Sequence, residues 1–187
     1  MFVDPLAVML LGVSASAAFL AYAVFGLAKG KRNLAILAPV MFALGAFDFL
    51  SGFYLSFFWP LPGAYNMLFG DPMLILGIIM LAGAYALHEN FDVRPISLLG
   101  FLLGIYLFAE SYGMVAFGLE KGVYLLPALS FFLLSAISAI LSPVVYLSPK
   151  GSGKALYYLL GVVLVLVVIA ALFVGLSSII GHLQAPP

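Results

Sequence analysis

The sequence predicts an all-α polytopic membrane protein, a six-transmembrane-helix bundle with both termini extracytoplasmic. Three observations carry this. Of 187 residues, 66% are hydrophobic and 7% charged, whereas soluble domains are about 25% charged. One water-soluble core could not hide that much apolar surface, so the expected solvent is lipid. The apolar residues form six runs long enough to cross a bilayer, and short gaps between them hold nearly all the charge.

The runs are about 5–28, 34–59, 72–88, 96–117, 124–147 and 155–181, and together they make residues 1–187 one transmembrane domain. Asp4-Pro5 and Asp71-Pro72 read as starts of the first and third spans, since Asp caps free N–H groups and Pro fits a first helical turn. Arg94-Pro95 places a proline near the start of the fourth. Pro127 and Pro143 are expected to bend the fifth near its ends. The opening residues MFVDPLAV carry no basic side chain, and the run after them is too long for a signal core, so no cleavable signal is expected.

Basic residues set orientation. Lys29, Lys31, Arg32, Arg94, Lys150 and Lys154 lie in the first, third and fifth gaps, and Lys121 alone lies in the second and fourth. Odd gaps are therefore expected on the cytoplasmic side. Trp59, Tyr65 and Tyr124 then fall at the outer interface. Small residues recur at close-packing spacing: Gly45 and Gly52, Gly100 and Gly104, Ala17 and Ala21, then Gly161 and Gly175. They let helix backbones approach in lipid.

The composition also removes function classes. Net charge is zero, which gives no footprint for nucleic acid. With no cysteine there is no disulfide, thiolate metal site, iron–sulfur cluster or cysteine nucleophile. His88 and His182 are expected on opposite sides of the membrane, so they do not ligate one haem within a protomer. No zinc spacing, nucleophile constellation or phosphate loop is present. The reading is a non-enzyme without cofactor or metal, in a prokaryotic plasma membrane.

Two residues stand out. AFDFLSG, residues 46–52, puts Asp48 mid-span, and FAESYG, residues 108–113, puts Glu110 in the outer half of the fourth span. A charge at mid-bilayer costs roughly 2.5–3.5 kcal/mol on insertion scales. Gly45 and Gly52 share the face of Asp48, which points that face into the bundle. No cation is expected at membrane depth, so a neutral acid able to donate a hydrogen bond is the form that low dielectric favours. Tyr54, Tyr106, Tyr112 and the serines of the fifth span are candidate partners.

Those serines are Ser135, Ser138 and Ser142, at i, i+3 and i+7, and Phe131 extends the stripe outward. Such a stripe makes interhelical hydrogen bonds or forms the polar wall of a path. Asp48, Glu110, Tyr106, Ser135, Ser138, Ser142 and Phe131 are thus the candidate solute or proton path. His88, Glu89 and Arg94 stand at its cytoplasmic mouth, where His88 also suits the C-terminal end of a helix dipole.

The layout resembles the small six-span amide and urea channel family, which includes acid-gated urea channels. FGLAKGKRN, residues 25–33, is similar to that family's first turn. GAYALHENFDVRP, residues 83–95, is similar to its Tyr-rich third span and following Asp-aromatic-Arg-Pro turn, with Val93 in the aromatic place. The resemblance implies six helices around a narrow path in each protomer and a ring-shaped homo-oligomer. The fifth span has no tryptophan, the last has no acid, and the outer loop PLPGAYNMLFG has neither histidine nor carboxylate, so urea selectivity and acid gating do not carry over. Three roles follow: a channel for a small neutral solute, a proton- or cation-coupled transporter working through Asp48 and Glu110, or a non-transporting subunit of a larger membrane complex.

Overall fold

The computed structural model describes residues 5–30, 34–147 and 150–184. Asp4, Lys31 and Arg32, on which the first helix start and part of the charge bias rest, lie outside the described residues, as does the His182 side chain. The described chain is helical throughout its ordered elements: α1 (Pro5–Ala28), α2 (Ala38–Phe58), α3 (Tyr65–His88), α4 (Ile96–Ala116), α5 (Leu125–Ile140) and α6 (Ser152–Gln184). Short 3-10 turns at Ala35–Leu37, Gly122–Tyr124 and Ser142–Tyr146 precede α2 and flank α5. Six of these segments are long and apolar enough to cross a membrane. In hydrocarbon the helix satisfies every backbone polar group internally, which is why apolar runs of this length take that form.

One boundary differs from the sequence reading. α3 starts at Tyr65, not at residue 72, so Asp71 and Pro72 are interior to it. Asn66 makes the earlier start stable. It is fully buried, its Oδ1 accepts from the Leu61 N–H at 2.8 Å, and its Nδ2 donates to the Leu61 and Gly63 carbonyls at 2.5 and 3.0 Å. That side chain replaces the loop's missing backbone bonds, so the Asp-Pro pair is not required as a cap.

Each helix packs on its neighbours in the chain, and α6 returns to α1, closing a ring. The seams are unequal. α2–α3 is the most extensive, then α1–α6 and α4–α5, while α1–α2 and α3–α4 are the thinnest. Glycines explain the tight seams. A Cβ on Gly45 would sit 2.8 Å from the Leu81 nitrogen, and one on Gly70 2.7 Å from Leu55 Cβ. Cβ atoms on Gly52 and Gly77 would collide with the backbone nitrogens of Leu74 and Phe49. At α4–α5, Gly104 faces the Ile140 nitrogen and Gly100 faces Ser142. At Gly45, Gly52, Gly77 and Gly104 backbone meets backbone, where dispersion contacts are densest.

Candidate functional site

The ring encloses a cavity of about 260 Å³. Its wall includes Leu6 and Leu27, near the two ends of α1. At 1.5 Å per residue those positions are about 30 Å apart, the thickness of a hydrocarbon core. Among the lining residues, α3 contributes Leu68 to Leu87, α4 Ile96 to Leu107, α5 Phe131 to Ala139, the turn after it Ser142 and Val145, and α2 Met41. Among the described residues, no charged side chain lines it.

The sequence-predicted residues separate into two groups. Phe131, Ser135, Ser138 and Ser142 are on the cavity wall. Asp48, Tyr106 and Glu110 are not on it, nor are His88, Glu89 and Arg94. The mouth at that end is formed instead by Val93, Ile96 and Ser97.

On the wall, aromatic side chains narrow one level. The Phe69 ring of α3 meets Phe132 edge-on at 5.5 Å between centroids, and Phe132 meets Phe131 at 5.3 Å. The hydroxyls are unequal. Ser138 Oγ donates to the Ser135 carbonyl at 2.9 Å. Ser142 Oγ donates to the Ala139 and Ser97 carbonyls, both at 2.7 Å, tying α5 to the start of α4. These two protons are committed to backbone, which leaves oxygen lone pairs as acceptors. Ser135 Oγ is sheltered and has no partner.

The acids occupy seams. Asp48 is fully buried, and Ser16 of α1 donates to its Oδ2 at 2.5 Å. Its Oδ1 has no partner and looks at the backbone of Gly12, where a Cβ would come within 3.2 Å of it. Gly12 is the residue that lets the carboxyl approach α1. A second cluster lies between α2, α3 and α4. Asp71 accepts from Ser56 Oγ at 2.6 Å and from Tyr106 OH at 2.8 Å. Glu110, one turn beyond Tyr106, is an electrostatic neighbour of both Tyr106 and Asp71, and its Oε2 has no partner. Tyr54 and Tyr112 point outward. Ser16 and Ser56 are absent from the sequence reading, and Asp71 enters it only as the start of the third span. Asp71 was hidden by its resemblance to a helix cap, and nothing local marks either serine.

Outside the spans, His88 Nε2 is 3.7 Å from Glu89 Oε1, and both side chains are exposed. Arg94 chelates Asp92, Nε donating to both carboxylate oxygens at 2.9 and 2.8 Å. Those bonds, then the Arg94 backbone N–H, hold the Asp92 carboxyl below the usual carboxylate range. Arg94 also sits 5.8 Å over the Tyr146 ring, so the α3–α4 turn is fastened to the end of the fifth span. Among the described residues no group of three or more His, Cys, Asp or Glu side chains is placed to hold a metal ion.

A family model described as a protein of unknown function (DUF981) matches residues 1–185. No curated protein and no solved structure matches the chain. The expected link to the amide and urea channels therefore finds no relative to support it.

Proposed function

The chain belongs to the DUF981 family, and we propose that it is a membrane channel for a small neutral solute, with the axial cavity as the path. One observation carries the reading: a cavity with no charged side chain on its wall among the described residues runs the length of α1 and has Ser135, Ser138 and Ser142 on the wall along α5 and the turn after it. An ion entering it would lose its hydration and meet no counter-charge, a penalty of many kcal/mol. A neutral solute loses only hydrogen bonds, about 1–3 kcal/mol for each left unmade. Ser135, Ser138 and Ser142 return some of these along one side, and Phe69, Phe131 and Phe132 limit cross-section. In this reading the protein performs no chemistry on the solute.

Vesicles containing the protein should shrink and reswell in acetamide, urea or glycerol faster than empty ones, with no added proton or cation conductance. Equal rates for every solute would end the channel reading.

One observation favours a second reading. Asp71, Tyr106, Ser56 and Glu110 form a polar cluster off the cavity, with a carboxyl oxygen unpartnered. A coupled transporter would use it to exchange protons. Uptake driven by a pH gradient, and lost in Asp71→Asn and Glu110→Gln, would select that reading over passive flow.

A further inference from the structure

Among the described residues, the polar side chains on the cavity wall are Ser97, Ser135, Ser138 and Ser142, and every other residue on it is apolar. Three of the four hydroxyl protons are already given away. Ser97 Oγ donates to the Arg94 carbonyl at 2.7 Å, Ser138 to that of Ser135, and Ser142 to those of Ala139 and Ser97. Ser135 Oγ has no partner, but the atom has almost no exposed surface. No described side chain on the wall therefore offers an occupant a charge or a free hydrogen-bond donor.

Shape adds a second constraint. A volume of about 260 Å³ drawn out over about 30 Å of helix is a tube, not a chamber. A compact solute fills only a short part of it at a time. A wall that faces empty space forfeits dispersion contacts. Water there gives up hydrogen bonds and recovers few, which is why apolar cavities stay dry. A flexible hydrocarbon chain loses nothing by entering and supplies contacts along the whole length. Such chains surround a bundle whose six helices are long and apolar enough to cross a bilayer, and the tube is as long as a hydrocarbon core is thick.

We infer that the cavity binds the hydrocarbon tail of a membrane lipid, laid along the tube among α1, α3, α4, α5 and α6. The α3–α4 seam, thin and between two wall helices, is its lateral way in. A tail and a solute exclude one another from the same stretch of tube. The inference goes beyond the permeation reading and does not rest on it.

A phospholipid with a photoreactive diazirine midway along one tail tests this in vesicles that contain the protein. After irradiation, peptide mapping should find label on the wall residues Leu76, Ile79 and Ala139, as well as on outward-facing Phe42, Leu102 and Leu166. Ser138→Phe puts a ring into the tube and leaves a tail no room, so labelling of the wall should fall about tenfold with the outward positions unchanged. If that variant does not fold, Ile79→Phe fills the tube from α3 and is read at Leu76 and Ala139 instead. Label confined to outward-facing residues in wild type overturns the inference, and so does wall labelling that the added ring does not reduce. Wall labelling that the ring removes keeps the tail whether or not solute flows, and solute flow past an unlabelled wall keeps the channel and overturns the tail.

Discussion

Gly52→Ala tests the account of how the ring is held. A Cβ there would collide with the Leu74 nitrogen, lie 2.6 Å from Leu74 Cα and 2.8 Å from the Gly70 carbonyl oxygen. All three are backbone atoms, so no side-chain rotation relieves the clash. α2 must move from α3 by about 1 Å to restore ordinary contact, which loosens the most extensive seam of the bundle. Overpacking costs about 1–3 kcal/mol, and a backbone obstacle belongs at the upper end. Replacing glycine in a helix recovers about 1 kcal/mol. The net expectation is destabilisation by about 2 kcal/mol. Gly181→Ala in α6 is the matched control, since nothing lies within 4 Å of its Cβ position, and it should be neutral or stabilising by up to about 1 kcal/mol. Unfolding in mixed micelles by increasing sodium dodecyl sulfate reads both. Trp59, the single tryptophan, sits at the end of α2 and reports on this seam. A Gly52→Ala protein as stable as Gly181→Ala would refute the backbone-contact reasoning.

Three other outcomes are expected. Ser138→Phe places a ring into the cavity from its wall and should reduce solute flux in vesicles at least tenfold, whereas an unimpaired flux would mean the path lies elsewhere. Ser16→Ala leaves both oxygens of buried Asp48 unpartnered and should cost about 1–3 kcal/mol in the same unfolding assay; Asp48→Asn preserves a partner for Ser16 and should leave permeability unaltered, because residue 48 is not on the cavity wall. Arg94 holds the Asp92 carboxyl below its ordinary value, so the contribution of this pair is fully present above the ordinary Asp range, near 3.9, and is lost as pH falls through the depressed value. Carbon-13 titration of Asp92 should show the midpoint rising toward that ordinary value in Arg94→Ala, and an unmoved midpoint would show that the pair exerts no hold.

Composition made the six helices legible because hydrocarbon imposes one requirement on every span, backbone satisfaction over about 20 residues. The serine stripe was legible for a similar reason. Ser135, Ser138 and Ser142 share a face by periodicity alone, and the structure puts them on one wall. Asp71 was not, because an Asp-Pro pair satisfies the grammar of a helix start and that of a helix interior equally. The arbiter was Asn66, whose role depends on how Leu61 and Gly63 fold back onto it. The partner of Asp48 was illegible because Ser16 is on another helix, and helix pairing is set by where glycines let backbones meet. The glycine pattern itself was visible, yet which helix each glycine faces was not.

Two of the intramembrane acids, Asp48 and Asp71, then have a common physical account. The α2–α3 seam is built mainly on glycine, where close backbone approach supplies dispersion along its length. Of the two thinnest seams, α1–α2 has a single glycine contact, Gly12 beside the Phe47 ring and the Asp48 carboxyl, and α3–α4 has none among the described residues. Both are bridged by hydrogen bonds to carboxyl groups, Ser16 to Asp48 in the first and Tyr106 to Asp71 in the second. Ser56 extends the latter to α2. In hydrocarbon such a bond competes with no water, so one contact can fix a seam that has little area. The cavity is bounded on both sides of α3 by this arrangement. Its tight seam to α2 and its polar seam to α4 hold the cavity-lining side of α3 in place. On this view the acids serve the path without touching the solute. Their removal should therefore loosen the ring before it alters permeation.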